Sequence, residues 1–205
     1  MKSLLVATHN PGKLNDIKKG LETLKKKGVI ILSLNDLNIK DEPEETGKTF
    51  QENALLKARY YANVSGLPTL ADDGGLRIEI LNGEPGVKSR RWPGFAATDE
   101  ELISYTLEKL KGVPIEKRKA ILMTCLSFYD PSSKTDILEC EENHGVIAEK
   151  ASPTRIKGYP YRSLFIIEKF NKYYYDLTEE EHVKTNHRLI AVKRISEKLG
   201  KYLLQ

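Results

Sequence analysis

No apolar run in the 205-residue chain approaches the ~18 residues that a membrane-spanning helix needs. The first hydrophobic stretch, Ser3 to Ala7 behind Met1 and Lys2, is too short for a secretory signal and is expected to be a buried strand. Cysteine is scarce. Cys125 and Cys140 are the two present, both in strand-like segments, so nothing asks for a disulfide framework or a zinc site and two buried thiols are expected. A cytoplasmic location follows as the default. Repeats and low-complexity segments are absent, as is a strong charge bias: the net charge is +4, too mild to be a nucleic-acid footprint by itself. A small polyanionic substrate fits that balance equally well. With 40% hydrophobic and 30% charged residues the composition is that of a soluble globular protein, and the length suits one domain with two lobes, spanning 1–205.

What is present alternates helix and strand early and is dominated by strands later. Leu4 to Ala7 runs into "THNPGK", where Asn10 suits an N-cap and Pro11 the first helical position, at which its missing N–H is harmless. Leu14, Ile17, Leu21 and Leu24 then repeat at helical spacing and predict one helix that Gly28 stops. Val29 to Leu32 reads as a second strand. Thr49 and Glu52 form a capping box that opens a helix ending at Gly66, and Thr98 caps another through Lys111. Strand-like segments follow at Pro68 to Asp73, 118–128, 136–148 and 164–167, with a turn at Asp130 to Ser133 and a last helix over about 186–199.

Five stretches are candidates for chemistry. "THNPGK" is a strand–loop–helix turn in which free N–H groups and Lys13 make either an anion site or a plain helix cap; the GxxxxGK[ST] pattern of a Walker loop is missing. "EPEETG" by itself reads as a solvated acidic loop. In "ADDGG", Asp72 and Asp73 would repel one another at a strand end. A divalent cation resolves that repulsion, and Gly74 and Gly75 let the backbone turn sharply and a ligand come close. Arg90 and Arg91 of "SRRWPG" make a surface patch or a phosphate clamp. His187 and Arg188, at a helix start, are by themselves ordinary surface.

Taken in order, "ATHNPGK", "EETGKTFQENALLKA", "LADDGGL", "NGEPGVKSRRWPG", "GVI" at Gly145 to Ile147 and "NHR" at Asn186 to Arg188 resemble the inosine/xanthosine triphosphate pyrophosphatase family over essentially the whole chain. The resemblance implies an elongated mixed α/β sheet with flanking helices, a strand-rich second lobe and a cleft between the lobes, as in Maf/ITPase-like folds. It further implies a Mg²⁺-dependent hydrolase that converts ITP, dITP and XTP to the monophosphate and pyrophosphate. In that pattern the loop Thr8, His9, Asn10, Pro11, Gly12 and Lys13 binds the triphosphate. Glu44 and Asp73 hold the metal with support from Asp72, and Asp73 also accepts the proton of the attacking water. His187 and Arg188 read the purine together with an aromatic stretch, and the protein is a homodimer.

The chain departs from that pattern at the base-reading end. The usual serine after "ADD" is Gly74. The stretch "GFGYDP" becomes Gly158-Tyr159-Pro160-Tyr161-Arg162-Ser163, which keeps an aromatic at Tyr159 and exchanges an aspartate for Arg162. An expected lysine is His182. All of these remain substrate-binding candidates, and the preferred base is left open. Two rivals stand beside this reading: a nucleotide-binding protein without turnover, and a basic nucleic-acid-binding domain, for which no reader motif is present.

Overall fold

The structure is a computed structural model that describes residues 2–204. It is a mixed α/β fold: a seven-stranded sheet with flanking helices. The strands are β1 (Ser3–Ala7), β2 (Ile30–Ser33), β3 (Thr69–Ile78), β4 (Lys119–Asp130), β5 (Thr135–Ile147), β6 (Phe165–Ile167) and β7 (Lys172–Tyr173), in the sheet order β2-β1-β3-β4-β5-β6-β7. β1 is parallel to both β2 and β3, whereas β6 is antiparallel to β5 and to β7. Among the described residues no helix is long and apolar enough to cross a membrane.

The chain divides into two compact units, one made of the residues up to Gly74, Thr124–Glu141 and those from His187 onward, the other of Gly75–Met123 and Glu142–Asn186. In the first unit, the period-2 alternation of β1 separates two cores. Leu4 and Val6 pack with Ile17, Leu21, Leu24, Val192, Ile195 and Leu199, which belong to α1 (Pro11–Gly20), the C-cap position Leu21, α2 (Glu22–Lys26) and α6 (His187–Leu203). Leu5 and Ala7 face the other way, onto Ala58 and Tyr61 of α3 (Phe50–Ser65). One strand of five residues thereby anchors a helix layer on each side.

The single helix expected from Pro11 to Gly28 is two helices. The first ends at Gly20, and Leu21 (φ −92°, ψ 2°) serves as its C-cap and as the N-cap of the second. Packing explains why Gly20 stands at the break: a Cβ there would lie 2.3 Å from Cγ1 of Val192, so the close approach of α6 requires glycine. The two expected thiols are also corrected. Cys125 and Cys140, on β4 and β5, neighbours in the sheet, are joined as a disulfide with their Cα atoms 4.2 Å apart. Strand adjacency across a hairpin decides that pairing, and a separation of 15 residues does not reveal it.

The second unit packs Leu76, Ile78, Leu102, Leu110, Leu122, Phe165 and Tyr174 into its own core, covered by α4 (Asp99–Lys109). Before α6 comes α5 (Glu179–Thr185), opened by a capping box from Thr178 and Glu181. Arg118, 5% exposed, lies in this unit and donates to the carbonyls of Leu110, Val113 and Ala148 at 2.8–3.1 Å. It closes the end of α4 onto the segment after β5. Arg118→Ala takes this donor from the carbonyls of Val113 and Ala148, while that of Leu110 keeps the N–H of Val113, and is expected to cost about 3 kcal/mol in urea unfolding. An unchanged unfolding midpoint would overturn this role.

Candidate active site

The site is built where β1 and β3 part company. Ala7 pairs with Ala71, so the chain leaves β1 through Thr8 to Asn10 just where β3 continues into Asp72 and Asp73. Asn10 caps α1, its Oδ1 accepting from the backbone N–H of Gly12 (2.9 Å) and of Lys13 (3.1 Å), while Thr8 Oγ1 accepts from the N–H of Asn10 (3.2 Å). The expectation of free N–H groups at this turn is thereby corrected: Asn10 takes the donors of Gly12 and Lys13, and Pro11 has none. The lysine side chain is what the turn presents. Its Nζ lies 3.2 Å from Asp72 Oδ2. His9 is exposed, 3.9 Å from Glu42 and edge-on to Tyr61 at 6.4 Å.

Asp72 is 2% exposed, and Arg188, at the start of α6, holds its Oδ2 with both Nε and Nη2 at 3.2 Å. Nη1 of the same guanidinium lies 3.9 Å from Asp16. Burial alone would raise the Asp72 carboxyl; the charges of Lys13, Arg188 and Lys57 outweigh it and hold the group at about 2. Asp73 goes the other way. Burial pushes its carboxyl above the ordinary 3.8, with Glu45 adding to the rise and Lys57 and Lys13 opposing it. Adjacent on one strand, the two aspartates thus take opposite characters: Asp72 a firmly ionised anchor, Asp73 a stronger base than an ordinary carboxylate.

Lys57 joins the cluster from α3. Its ammonium donates to Asp73 Oδ1 at 3.0 Å and to Glu45 Oε1 at 2.8 Å. Burial disfavours the charge, yet Asp73, Asp72 and Glu45 hold this lysine above its ordinary pKa. Buried Asn53, one turn earlier on the same helix, accepts from the N–H of Gly47 at 2.8 Å and ties the acidic loop to α3. Glu44, the expected metal ligand of that loop, is exposed, and it is Glu45 that reaches Lys57.

Two carboxylate oxygens of the cluster, Asp72 Oδ1 and Asp73 Oδ2, are buried without a hydrogen-bond partner. Unshared, anionic and hard, they are the donor type that Mg²⁺ takes, so the residues fit such an ion. Among the described residues no three His, Cys, Asp or Glu side chains converge as a ready cage; ammonium groups stand between the carboxylates instead.

The glycines of "ADDGG" play another part than expected. β3 runs unbroken through both, so no sharp turn occurs there. A Cβ on Gly75 would lie 2.1 Å from Oγ of Ser89, so its absence admits the 3₁₀ segment Gly86–Arg91, within the second unit. Gly74 ends the first segment of the first unit. His187 opens α6 and is buried beside Arg188 in the sequence.

The remaining candidates belong to the second unit. Arg162 is buried with its guanidinium 3.7 Å from the ring centre of Tyr159 and 4.7 Å from that of Tyr174, a stacked cation. Tyr161 lies in the core and donates to the carbonyl of Ser89 at 2.6 Å, and burial pushes its hydroxyl pKa up. His182 meets Tyr174 edge-on at 5.1 Å. Arg90 pairs with Asp99, and Arg91 is exposed.

Sequence reasoning missed Lys57, Glu45 and Asn53. A signal existed for two of them: the apolar face of α3 is Phe50, Ala54, Ala58 and Tyr61, and at helical spacing Asn53 and Lys57 fall on it. A lysine and an asparagine on an inward stripe ask for partners.

The Ham1 family model matches residues 4–198. The dITP/XTP pyrophosphatase of Bacillus subtilis strain 168 is 38% identical over 97% of this chain and 98% of its own, and that of Geobacter sulfurreducens is 39% identical over 98% of both. Among solved structures, a HAM1 protein from Coxiella burnetii superposes with a TM-score of 0.85 at 31% identity, covering 98% of this chain and all of its own.

The sign of the Asp72 shift fixes a pH dependence. A carboxyl held at about 2 in the folded chain against 3.8 ordinarily stabilises the fold fully above pH 3.8, and loses that contribution as pH falls toward 2. Asp72→Asn is expected to lower unfolding free energy by about 2 kcal/mol at pH 7, with the gap from wild type closing between pH 4 and pH 2. A gap that stays constant with pH would contradict the assignment.

Proposed function

The chain belongs to the Ham1 family, and we propose that it hydrolyses the non-canonical purine nucleoside triphosphates dITP, ITP and XTP to the nucleoside monophosphate and pyrophosphate. One observation carries the reading: a buried, firmly ionised Asp72 and a more basic Asp73, each with an unpartnered oxygen, share one cluster with Lys13, Lys57 and Arg188. A polyphosphate needs those cations, and attack by water needs that base.

Asp73 takes a proton from the attacking water, which its raised basicity favours. The new O–P bond forms as the bond between the α-phosphorus and its bridging oxygen breaks, and that oxygen leaves with the pyrophosphate. Lys13 faces the charge that develops on the phosphate oxygens, preset by its salt bridge to Asp72 and needing little reorganisation, and Lys57 supplies a second ammonium beside it. Arg188 keeps Asp72 ionised. Asp73, Asp72 and a glutamate of the acidic loop, Glu44 with Glu45 beside it, would hold Mg²⁺. When bound it neutralises phosphate charge and polarises the phosphorus–oxygen bonds. Thr8, His9, Asn10, Pro11 and Gly12 shape the turn that presents Lys13.

Base reading is assigned to His187 with Arg188. A 6-keto purine offers an acceptor to such donors, whereas the 6-amino group of ATP sets donor against donor. The reading includes a cytoplasmic location, where such nucleotides arise, and a homodimer, as the family resemblance implies.

Asp73→Asn keeps the shape of the side chain and removes the base. Pyrophosphate release from ITP with Mg²⁺ is expected to fall by about 10²-fold or more with the circular dichroism spectrum unchanged; near wild-type turnover by the folded variant would sink the proposal. For selectivity, kcat/KM for ITP and XTP should exceed that for ATP in the wild type. The His187→Ala ratio should narrow by about tenfold, the worth of one unpaired buried donor. Equal use of ATP and ITP by the wild type, or an unaltered ratio in the variant, removes His187 from base reading.

A further inference from the structure

The cluster at Asp73 already holds three cations, Lys13, Lys57 and Arg188, set against the carboxylates of Asp72, Asp73 and Glu45, with Asp16 a fourth carboxylate 3.9 Å from Arg188. Lys57 occupies the most telling place among them. Its ammonium bridges Glu45 and Asp73, which come from the acidic loop and from β3 and are brought together through this one nitrogen. A hard divalent cation would draw on the same oxygens. We infer that Lys57 is a tethered counter-ion that holds the acid pair in the metal-free protein and must be displaced before a divalent cation binds there.

The inference rests on the reading that a divalent cation joins these carboxylates, and it adds an order to the events. Three features support it. Lys57 has 14% of its side chain exposed and is one residue from Ala58 in the packed face of α3, so its ammonium is anchored by packing rather than drifting in solvent. Among the described residues the carboxylates do not form a ready cage, and the lysine stands between Glu45 and Asp73. Coulomb repulsion completes the case: a doubly charged ion added beside three cations gains little until Lys57 moves off or an anion arrives. A nucleoside triphosphate is that anion. It brings the cation with it and offers the displaced ammonium new oxygens, so free divalent cation is bound weakly and cation with nucleotide is bound well. The lysine thereby keeps Asp73 and Glu45 compensated between turnovers and ties metal acquisition to substrate.

Mn²⁺ affinity of the nucleotide-free protein, read from the paramagnetic resonance of free Mn²⁺, tests this without turnover. Lys57→Met keeps the aliphatic stem and removes the competing charge. It is expected to bind Mn²⁺ about tenfold or more tightly than the wild type, whereas Lys57→Arg, which keeps the charge, stays near wild type. Lys57→Gln serves as a second neutral variant if the methionine variant fails to fold, as judged by its circular dichroism and thermal transition. Mn²⁺ affinity in the folded neutral variant that is equal to or weaker than in the wild type overturns the inference, including the case in which neither binds. Pyrophosphate release by the wild type is judged separately. An inactive wild type with a tighter-binding Lys57→Met removes the proposed activity and leaves the tethered counter-ion standing. An active wild type whose neutral variant binds no more tightly removes only the counter-ion.

Discussion

Burying the carboxylate of Asp72 is the constraint around which the first unit is arranged. A carboxylate at 2% exposure is tolerated only when cations surround it, and here they come from three directions. Lys13 arrives from the first turn of α1, Arg188 from the first turn of α6, and Lys57 from the middle of α3. Each of these helices is also a wall of a hydrophobic core, so the apolar packing and the ion pairs fix the same geometry. The N-cap of Asn10 is part of this arrangement: by satisfying two backbone donors it sets where α1 begins and so where Lys13 points.

The same burial makes the neighbouring aspartate useful. Asp72 and Asp73 point to opposite faces of a strand, so the cations that pin the first reach the second unequally. Two guanidinium nitrogens and a lysine face Asp72, whereas Asp73 has one ammonium, shared with Glu45. Desolvation then wins at Asp73 and loses at Asp72. One strand delivers an anchor and a base in consecutive residues, with no further machinery than alternation and the placement of three positive charges.

The second unit turns a departure from the family pattern into structure. Where the resemblance leads one to expect an aspartate, Arg162 is stacked between Tyr159 and Tyr174, and its charge is held by aromatic faces. Tyr161 and Arg118 likewise close carbonyls of their own unit. The change of sign at position 162 is thus accompanied by a surrounding that accepts a cation.

Much of this protein is legible in its sequence. Capping boxes at Thr49 and Thr98, the β1 run and the strand-like start of β3 are local signals, decided by residues within a few positions of one another, and the elements begin where those signals place them. The motifs also suffice to name the family, because their order along the chain is itself a pattern. Tertiary structure decided what depends on distant partners. The break at Leu21 stands beside the close approach of Val192, the disulfide follows from β4 lying beside β5, and the glycine at 75 answers to Ser89. The different characters of Asp72 and Asp73, and the bridge that Lys57 makes to Glu45, belong to the same class. Side-chain type is written in the sequence; which charge faces which is set only when the helices that carry Lys13, Lys57 and Arg188, far apart along the chain, are packed against one sheet, because electrostatics and exclusion of water act through space and not along the chain.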